Sequence, residues 1–496
     1  MKTVIYVVHS VWQRLKAYVA GHLPNEAYAV IGCGLSSSVK HCRFLGKALY
    51  MPDSADYEVQ TPGLVRVKPS WFHAVLRTCA RLQHHPVLVH SHVSRTQPCE
   101  SSMDRISTMA ECPTIAAAMP SAAIGEMIVS RDMRGVEAHV FNRLTGRMEP
   151  IHVVLAPTLG SAGILFPTSS PLRSQWDTTE ELLWSRLQLA FGPEATKIMK
   201  SFHFGLVGAS SLGEPVAAML SNLGAELTLV DTDTFQDENV KRSIFGSRSD
   251  AAKNIKKVHL VRRGCQRSTP EARIHTVVGD IRDESTQKRL IHCDGLVLLT
   301  DNVASRIVGS HLAMTHGLMM FDVGTGIDVK DGTLQSVRGQ VMKLIPGLNL
   351  CHECAKFFDL REGRIELRSE DDYELARRRG YVTGASIPAP SVMPVNMQLA
   401  GACVWEILRY FCGATPDIHT DILALELINN TMRAHVYERN ADGQRVECAT
   451  CSPGMLFMCG DQAPLMTRAL RSELSIPRGR AGTRVQKHGA PNSPKP

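Results

Sequence analysis

Short apolar runs alternate with amphipathic stretches over the first 157 residues and predict a mixed α/β domain. Apolar runs bounded by polar residues indicate strands, whereas apolar positions that recur with helical periodicity indicate helices. The predicted strands cover residues 4–8, 27–31 and 86–90, and the predicted helices cover residues 10–23 and 71–82.

The pattern of apolar and polar positions changes near residue 178, after a segment rich in Gly, Ser, Pro and Thr. A helix precedes a strand–helix–strand unit, which predicts an α/β fold with a parallel, doubly wound, Rossmann-like sheet. These elements cover residues 178–190, 202–208, 214–224 and 226–231. We therefore expect a first domain over 1–157, a flexible linker over 158–177, a second domain over 178–465 and a basic disordered tail over 466–496.

The tail accounts for most of the formal net charge of +7, because residues 467–496 contain seven Lys or Arg and one acid, Glu473. Such a segment is typical of a solvated chain end, so we expect no specific nucleic-acid partner. No apolar run approaches the roughly 20 residues of a membrane span, and no signal-peptide cleavage pattern follows the first strand. We expect a cytoplasmic protein without a membrane partner, in which fourteen cysteines do not indicate a disulfide framework.

His90 and His92 lie two residues apart at the end of a predicted strand, so both imidazoles face the same side. Asp104 follows closely enough to return across a loop as a third ligand. Two histidines and one carboxylate, with the fourth position left to water, are the pattern of a catalytic zinc site. The alternative interpretation is a surface strand end with no metal.

These residues resemble the motif of JAMM/JAB (MPN-type) zinc isopeptidases, which has an early Glu, then H-x-H, then S-x-x-D. Glu26 in LPNEAYAV, His90, His92, Ser101 and Asp104 match it, although Val93 replaces the Pro usual in the family. The resemblance implies a JAB/MPN fold with zinc on the two histidines and Asp104, Glu26 as general acid/base and Ser101 at the oxyanion. It implies cleavage after the terminal Gly-Gly of a ubiquitin-like protein. An inactive domain that only binds such proteins is the alternative.

A second site is indicated where the strand over 202–208 runs into the turn Gly208–Gly213. Ser210 and Ser211 replace two of the usual glycines, but backbone N–H groups at a helix start still bind phosphate. The next strand ends at Asp231, where an acid accepts from ribose hydroxyls. Taken alone, this pattern indicates a dinucleotide-binding domain.

The stretches that follow resemble ThiF/MoeB-type and ubiquitin-activating adenylyltransferases of bacterial ubiquitin-like conjugation systems. DTDTFQDENVKRS resembles D-x-D…S-N-L-x-R-Q, LLTDN resembles a T-D-N strand end, and LLWSRLQ resembles R-Y-S-R-Q. The resemblance implies ATP and Mg²⁺ as cofactors, and a homodimer in which Arg186 reaches the partner's nucleotide. The implied nucleotide-binding residues are Arg186, Gly208, Ser210, Ser211, Gly213, Asp231, Asp233, Asn239, Arg242, Lys256, Asp301 and Asn302.

Three of these residues are expected to assist the chemistry of adenylation. Arg242 and a lysine would neutralise charge on the α-phosphate, and Asp301 would hold Mg²⁺. The family spacing leaves Lys253, Lys256 and Lys257 as candidates for the lysine, and we prefer Lys256.

Two CxxC pairs, Cys351/Cys354 and Cys448/Cys451, predict a structural Cys₄ zinc site. Ubiquitin-activating enzymes carry a transfer cysteine after the first pair, but residues 361–401 contain none. Cys403 and Cys412 fall on an apolar helix pattern and Cys459 in a loop-like segment. The sequence therefore favours adenylation over thioester transfer, while leaving open whether one of these three cysteines forms a thioester.

Two enzymatic hypotheses and one non-enzymatic hypothesis follow. In the first, one half cleaves after the C-terminal glycine of a ubiquitin-like protein and the other adenylates that glycine for a separate conjugating enzyme. In the second, the same steps mature a sulfur carrier that a sulfurtransferase then uses. The third is a scaffold that only binds ubiquitin-like proteins, against which Glu26, Arg242 and Asp301 argue. A flexible linker predicts that the two sites work independently.

Overall fold

The computed structural model describes residues 1–93, 96–174, 181–348, 351–355, 363, 366–367, 390–415, 420–436, 448, 450–452 and 456–467. In these residues the strands form a nine-stranded sheet, an eight-stranded sheet and a two-stranded hairpin. None of the described helices is both long and apolar enough to cross a membrane. The predicted tail lies outside the described residues from 468 onward.

The first sheet has the strand order β11-β10-β1-β3-β2-β6-β7-β8-β9, and strands β4 and β5 form the separate hairpin. The strands are β1 (Lys2–Val7), β2 (Tyr28–Ser37), β3 (His41–Tyr50), β4 (Tyr57–Thr61), β5 (Leu64–Val67), β6 (His85–His92), β7 (Gly125–Ser130), β8 (Val136–Asn142), β9 (Arg147–Pro150), β10 (Val153–Leu155) and β11 (Ile164–Leu165). The helices are α1 (His9–His22), α2 (Pro69–Arg81), α3 (Ser102–Ala118) and α4 (Pro171–Ser174). Parallel and antiparallel pairs occur together, as a mixed α/β domain requires.

The second sheet has the order β14-β13-β12-β15-β16-β17-β18-β19. Its strands are β12 (His203–Val207), β13 (Glu226–Asp231), β14 (Ile274–Val278), β15 (Gly295–Leu298), β16 (Met319–Lys330), β17 (Thr333–Leu344), β18 (Ile422–Glu426) and β19 (Thr431–His435). The helices are α5 (Glu181–Phe191), α6 (Ala195–Ser201), α7 (Gly213–Asn222), α8 (Arg248–Ala252), α9 (Lys257–Ser268), α10 (Glu284–Leu290), α11 (Val303–His316), α12 (His352–Ala355) and α13 (Met393–Phe411).

Strands β12 to β16 pair in parallel, which confirms the parallel sheet predicted from the βαβ unit. Strand β12 lies between β13 and β15, so the strand order reverses direction there. In parallel α/β sheets, ligands bind beyond the carboxyl ends of the strands at such a reversal. The turn that follows β12 is therefore the expected position of a ligand site in this sheet.

The segment predicted as a flexible linker is packed over its described part. Ile164 and Leu165 form β11 against β10, and Ala162 is fully buried. The backbone N–H of Ala162 donates to the carbonyl of Tyr410 at 2.9 Å, and the Tyr410 hydroxyl donates to the carbonyl of Thr158 at 3.1 Å. Residues 158–166 therefore connect the first sheet to helix α13 and do not form a free tether.

A buried polar cluster also joins the two sheets. Arg43 of β3 is fully buried and donates to the carbonyl oxygens of Cys293 at 2.8 Å and of His316 at 3.0 Å. The Lys2 amine donates to the carboxylate of Asp294 at 2.5 Å. Burial raises the pKa of Asp294, but Lys2, His41 and Arg43 together outweigh it and hold that pKa well below its usual range. The two sheets are therefore docked through charged groups that would be costly to leave buried alone.

Candidate functional site

The turn between β12 and α7 is built on two glycines that no other residue fits. Gly208 has φ of +104°, in a region that L side chains rarely adopt. A Cβ on Gly213 would lie 2.2 Å from the carbonyl oxygen of Gly208. The two glycines thus let helix α7 start directly against the turn, which is the arrangement that presents backbone N–H groups to a phosphate.

Asp231, at the end of β13, braces this turn. Its carboxylate accepts from the backbone N–H groups of Ala209 at 2.7 Å and Asp233 at 2.8 Å. Burial raises the pKa of Asp231, although both hydrogen bonds favour the charged form. Asp231 therefore lies where the sequence predicts an acid beside the nucleotide, and it also fixes the turn.

A small pocket opens at the turn, and several predicted nucleotide-binding residues meet there. The lining residues are Ala209, Ser210, Ser211, Glu214, Phe235, Asn239, Arg242 and Lys257. Arg242 is partly exposed and lies 3.9 Å from Glu238. The pocket thus combines the turn at the start of α7 with two cationic side chains.

Of the three candidate lysines, Lys257 lines this pocket, whereas Lys256, which the sequence favours, does not. The Lys257 amine donates to Asp233 at 2.7 Å, whereas the Lys256 amine donates to the carbonyl of Thr232 at 2.7 Å. Burial raises the pKa of Asp233, but Lys257, with smaller contributions from Thr232 and Lys256, lowers it below its usual value. Asp233 therefore holds the Lys257 amine beside the pocket.

Two residues that the sequence reasoning missed position this pocket. Glu214 is buried, and its carboxylate accepts from the Ser243 hydroxyl at 2.8 Å and from the N–H of Ile244 at 2.7 Å, which fixes the loop after Arg242. Asn396 of α13 donates to the Ser211 hydroxyl at 2.9 Å. Glu214 directly follows the Gly-rich turn and was recognisable from that position, whereas Asn396 lies 185 residues from Ser211 and has no local signal.

The remaining predicted nucleotide residues do not line this pocket among the described residues. Asp301 is exposed beyond the end of β15, and the Asn302 side chain caps α11 by accepting from the Ser305 N–H at 2.8 Å. Arg186 is exposed on α5. Asn239, by contrast, does line the pocket; it is buried and accepts from the N–H of Gln236 at 2.9 Å, so it also shapes the loop that carries Arg242.

The four CxxC cysteines come together and could hold one metal ion. The Sγ atoms of Cys351 and Cys448 are 3.6 Å apart, as are those of Cys354 and Cys451. A disulfide requires about 2.05 Å. Sulfurs at about 2.3 Å from a tetrahedral zinc lie roughly 3.8 Å from one another. The observed spacing therefore fits four thiolates around one zinc ion.

The three cysteines left open as thioester candidates have different surroundings. Cys403 is fully buried in α13, and burial raises the pKa of its thiol. Cys412 is half-buried, and burial raises the pKa of its thiol to about 11. The Lys47 amine lies 3.3 Å from the sulfur of Cys459, which is half-buried.

A second group of metal-ligand type lies in the first sheet. Strand β6 carries His90 and His92, whose Nε2 atoms are 3.3 Å apart. Each Nε2 lies 3.2 Å from an oxygen of Asp104, and the three side chains could hold one metal ion. Ligands at about 2.0–2.1 Å from a tetrahedral zinc are roughly 3.3 Å apart. Burial raises the pKa of Asp104, but the two histidines hold it well below its usual range.

Asp104 lies in the first turn of helix α3, across the connection that follows β6. Ser101 caps α3 by accepting from the Asp104 N–H at 3.1 Å, and the Asp104 carboxylate accepts from the Ser101 N–H at 2.7 Å. The S-x-x-D spacing is thus also a capping box, which fixes where Asp104 points.

Glu26 lies in the same cavity, which has a volume of about 960 Å³ and is also lined by His90, His92, Ser101 and Asp104. The backbone N–H of Glu26 donates to the carbonyl of Thr61 at 3.0 Å, so the β4–β5 hairpin holds it. Burial raises the pKa of Glu26, and the two histidines lower it less. All five residues predicted for the first constellation therefore face one cavity.

The Rossmann-like parallel sheet defines an α/β protein with a pocket where the strand order reverses. The ThiF family model matches residues 185–449, more than half of the chain. The chain therefore belongs to the ThiF family.

Similar solved structures have low identities and low TM-scores. E. coli MccB is 18% identical with a TM-score of 0.44, over 59% of this chain and 76% of that chain. E. coli MccB with ATP is 15% identical with a TM-score of 0.41, over 54% and 74%. PaaA is 15% identical with a TM-score of 0.41, over 53% and 84%. Among curated proteins, none matches this chain.

Proposed function

We propose that this chain uses ATP and Mg²⁺ to adenylate the C-terminal glycine of a ubiquitin-like protein, and that its first domain hydrolyses the bond that follows this glycine. Membership of the ThiF family implies the adenylation. The pocket after β12 supports it, because Arg242 and Lys257 line the same pocket as the turn that begins at Gly208. The presence of the backbone N–H groups of this turn and two cationic side chains in one pocket is the observation that carries the proposal.

Adenylation increases the negative charge around the α-phosphate as pyrophosphate leaves. Arg242 and Lys257 are placed to offset this charge, since preorganised cations in a pocket stabilise such a transition state. Asp233 orients the Lys257 amine, and Asp231 holds the turn in place. Asp301 follows β15 at the same edge of the sheet and is proposed to hold the Mg²⁺ that accompanies the triphosphate.

Hydrolysis is proposed for the cavity that contains Glu26. His90, His92 and Asp104 would hold a zinc ion, which lowers the pKa of a coordinated water towards about 7. Glu26 is placed to accept a proton, and its raised pKa suits a general base that then returns the proton to the leaving amine. The Ser101 oxygen accepts from the Asp104 N–H, so its own hydrogen remains available to a developing oxyanion.

A homodimer is part of this proposal. Helix α5 carries Arg186 and also exposes Leu182, Leu183 and Leu189, which are 91%, 67% and 80% exposed. Three exposed leucines on one short helix are typical of a protein-binding surface. Replacing Leu182 and Leu189 by Glu should yield monomers in light scattering. Leu144→Glu, at a 97% exposed leucine of the other domain, should leave the oligomeric state unchanged.

The proposed adenylation is tested by pyrophosphate release with ATP, Mg²⁺ and a ubiquitin-fold carrier that ends in Gly-Gly. Release should depend on the carrier, and Asp301→Ala should abolish it because the triphosphate loses its metal. Adding NAD in place of ATP should give no product. Pyrophosphate release that is unchanged in Asp301→Ala would contradict the proposed placement of Mg²⁺.

A further inference from the structure

A second cluster of polar side chains lies beside the cavity that contains Glu26, on strands β7 and β8 and in the segment before α3, and two of its three members line that cavity. Glu126 and His139 face one another across these antiparallel strands, and Glu100 lies just before α3. One ligand atom from each of the three lies within 4.8 Å of the others. Glu126 pairs in register with Leu88, so its side chain shares the sheet face of His90 and lines the cavity with it.

Two atoms of this cluster are buried without a hydrogen-bond partner among the described residues. They are Oε2 of Glu126 and Nδ1 of His139. The two residues are 3% and 8% exposed, and the two atoms are 3.8 Å apart, too far for a hydrogen bond to each other. Buried polar groups are rarely left unpaired, so a missing partner is expected between them.

The other polar atoms of both side chains are already engaged. Oε1 of Glu126 accepts from the Thr108 hydroxyl at 2.6 Å. Nε2 of His139 lies 3.2 Å from Oε1 of Glu137, whose other oxygen accepts from the Ser169 N–H at 2.9 Å. A carboxylate beside the second ring nitrogen is usual for metal-binding histidines. Glu137 thus turns Nδ1 of His139 towards Glu126.

We propose that Glu100, Glu126 and His139 bind a second divalent cation, Zn²⁺ or Mn²⁺. Two carboxylate oxygens and one imidazole nitrogen suit such ions. The cavity attracts cations, because the acids Glu26, Glu58 and Glu111 also line it. This inference rests on the polar cluster itself and does not require the proposed adenylation or hydrolysis.

The second ion would hold a segment of the chain in position and would not form a two-metal catalytic centre with the ion on β6. Glu126 pairs with Leu88, two residues before His90, which corresponds to about 7 Å along the strands. Two-metal hydrolases hold their ions about 3.5–4 Å apart. By joining Glu100 to β7 and β8, the ion would fix the segment that leads into α3, and with it Asp104.

The proposal is tested by measuring metal per chain in full-length protein purified from zinc- or manganese-supplemented medium. Glu100→Gln and His139→Asn should each contain one ion fewer than the wild type. Glu111→Gln removes the same charge from the same cavity outside the cluster and should keep the full metal content. Glu100 is only partly buried, so Glu100→Gln should fold even if His139→Asn does not.

Two further variants separate this site from the one on β6. Replacing His90 and His92 by Asn should remove a different ion, and adding Glu100→Gln should remove both.

Glu137→Gln keeps all three ligands but weakens the hold on the imidazole, so the second ion should bind about 10–100-fold more weakly. Wild-type metal content in both Glu100→Gln and His139→Asn would overturn the proposal. His139 would then be an imidazolium paired with Glu126 and Glu137.

Discussion

At the residue scale, Lys257 illustrates how far the spacing of a motif can be trusted. Lys257 is the first residue of α9 and Lys256 precedes it at the N-cap with a non-helical backbone, so adjacent positions place the two amines differently. The spacing therefore predicts a lysine in this region but does not distinguish the two, and only Lys257 lines the pocket after β12. Only the contacts with Asp233 and Thr232 distinguish the two.

Lys257→Ala should lower carrier-dependent ATP–pyrophosphate exchange by about 10²–10³-fold, because it removes a cation aimed at the developing charge. Lys256→Ala removes the same charge one residue away and should stay within a few-fold of the wild type. Exchange rates at saturating ATP provide the measurement. Equal losses in both variants would mean that overall charge, and not the position of the amine, matters.

At the element scale, the predicted strands and helices were found with shifted ends. The strand predicted over 27–31 is β2, which continues to Ser37, and the helix predicted over 71–82 is α2, which starts at Pro69. Local periodicity carries enough information for such elements. It does not reveal α3, which contains Pro113 in its interior and is capped by Ser101 of the S-x-x-D motif.

Each CxxC pair lies in a short segment, and a metal ion bound by all four cysteines would join these two segments. Cys351→Ser should lower the zinc content by one ion per chain and lower the thermal unfolding temperature together, since metal-binding free energy is folding free energy. Cys412→Ser, at a half-buried cysteine outside the set, should keep its zinc. Full stability with one zinc fewer would point to a regulatory site.

At the scale of the whole molecule, the sequence suggested two halves on a tether, and the structure instead shows a shared core. Lys2 and Asp294 are separated by 292 residues, and Arg43 and Cys293 by 250. Contacts of this range leave no local pattern. The composition of 158–174 suggests a flexible segment because it is rich in Gly, Ser and Pro. These residues also occur in segments that pack closely, so composition alone does not distinguish the two cases.

The junction between the sheets should make the protein sensitive to mild acid. Burial, with Arg43 as the second cause, lowers the pKa of both His41 and His316 to about 3. Each is therefore neutral when folded but gains a proton below about pH 6.5 when unfolded. Their contribution to stability is complete above that pH and is lost as the pH falls towards 3.

His316→Gln should consequently flatten the pH dependence of unfolding. Each buried histidine contributes a loss of about 2 kcal/mol between about pH 7 and pH 5. Denaturant unfolding at these two values should show a smaller difference in the variant than in the wild type. His73→Gln, at an exposed histidine on α2, is the control. Parallel curves for His316→Gln and wild type would contradict the buried, neutral state of His316.

Although the two halves pack together, their proposed active sites are separate, since Glu26 lies in the cavity of the first sheet and Lys257 in the pocket after β12. Both reactions would address the same glycine: one frees its carboxyl group, and the other activates it. This pairing predicts that each reaction can be lost without the other.

One experiment with two substrates decides this: a ubiquitin-fold carrier that ends in Gly-Gly, and the same carrier with a C-terminal extension. Mass spectrometry follows removal of the extension, and ATP–pyrophosphate exchange follows activation of the mature carrier. Glu26→Gln cannot take a proton from water, so removal should fall by orders of magnitude while exchange stays near wild type. Lys257→Ala should show the reverse. Loss of exchange on the mature carrier in Glu26→Gln would contradict two separate active sites in one chain.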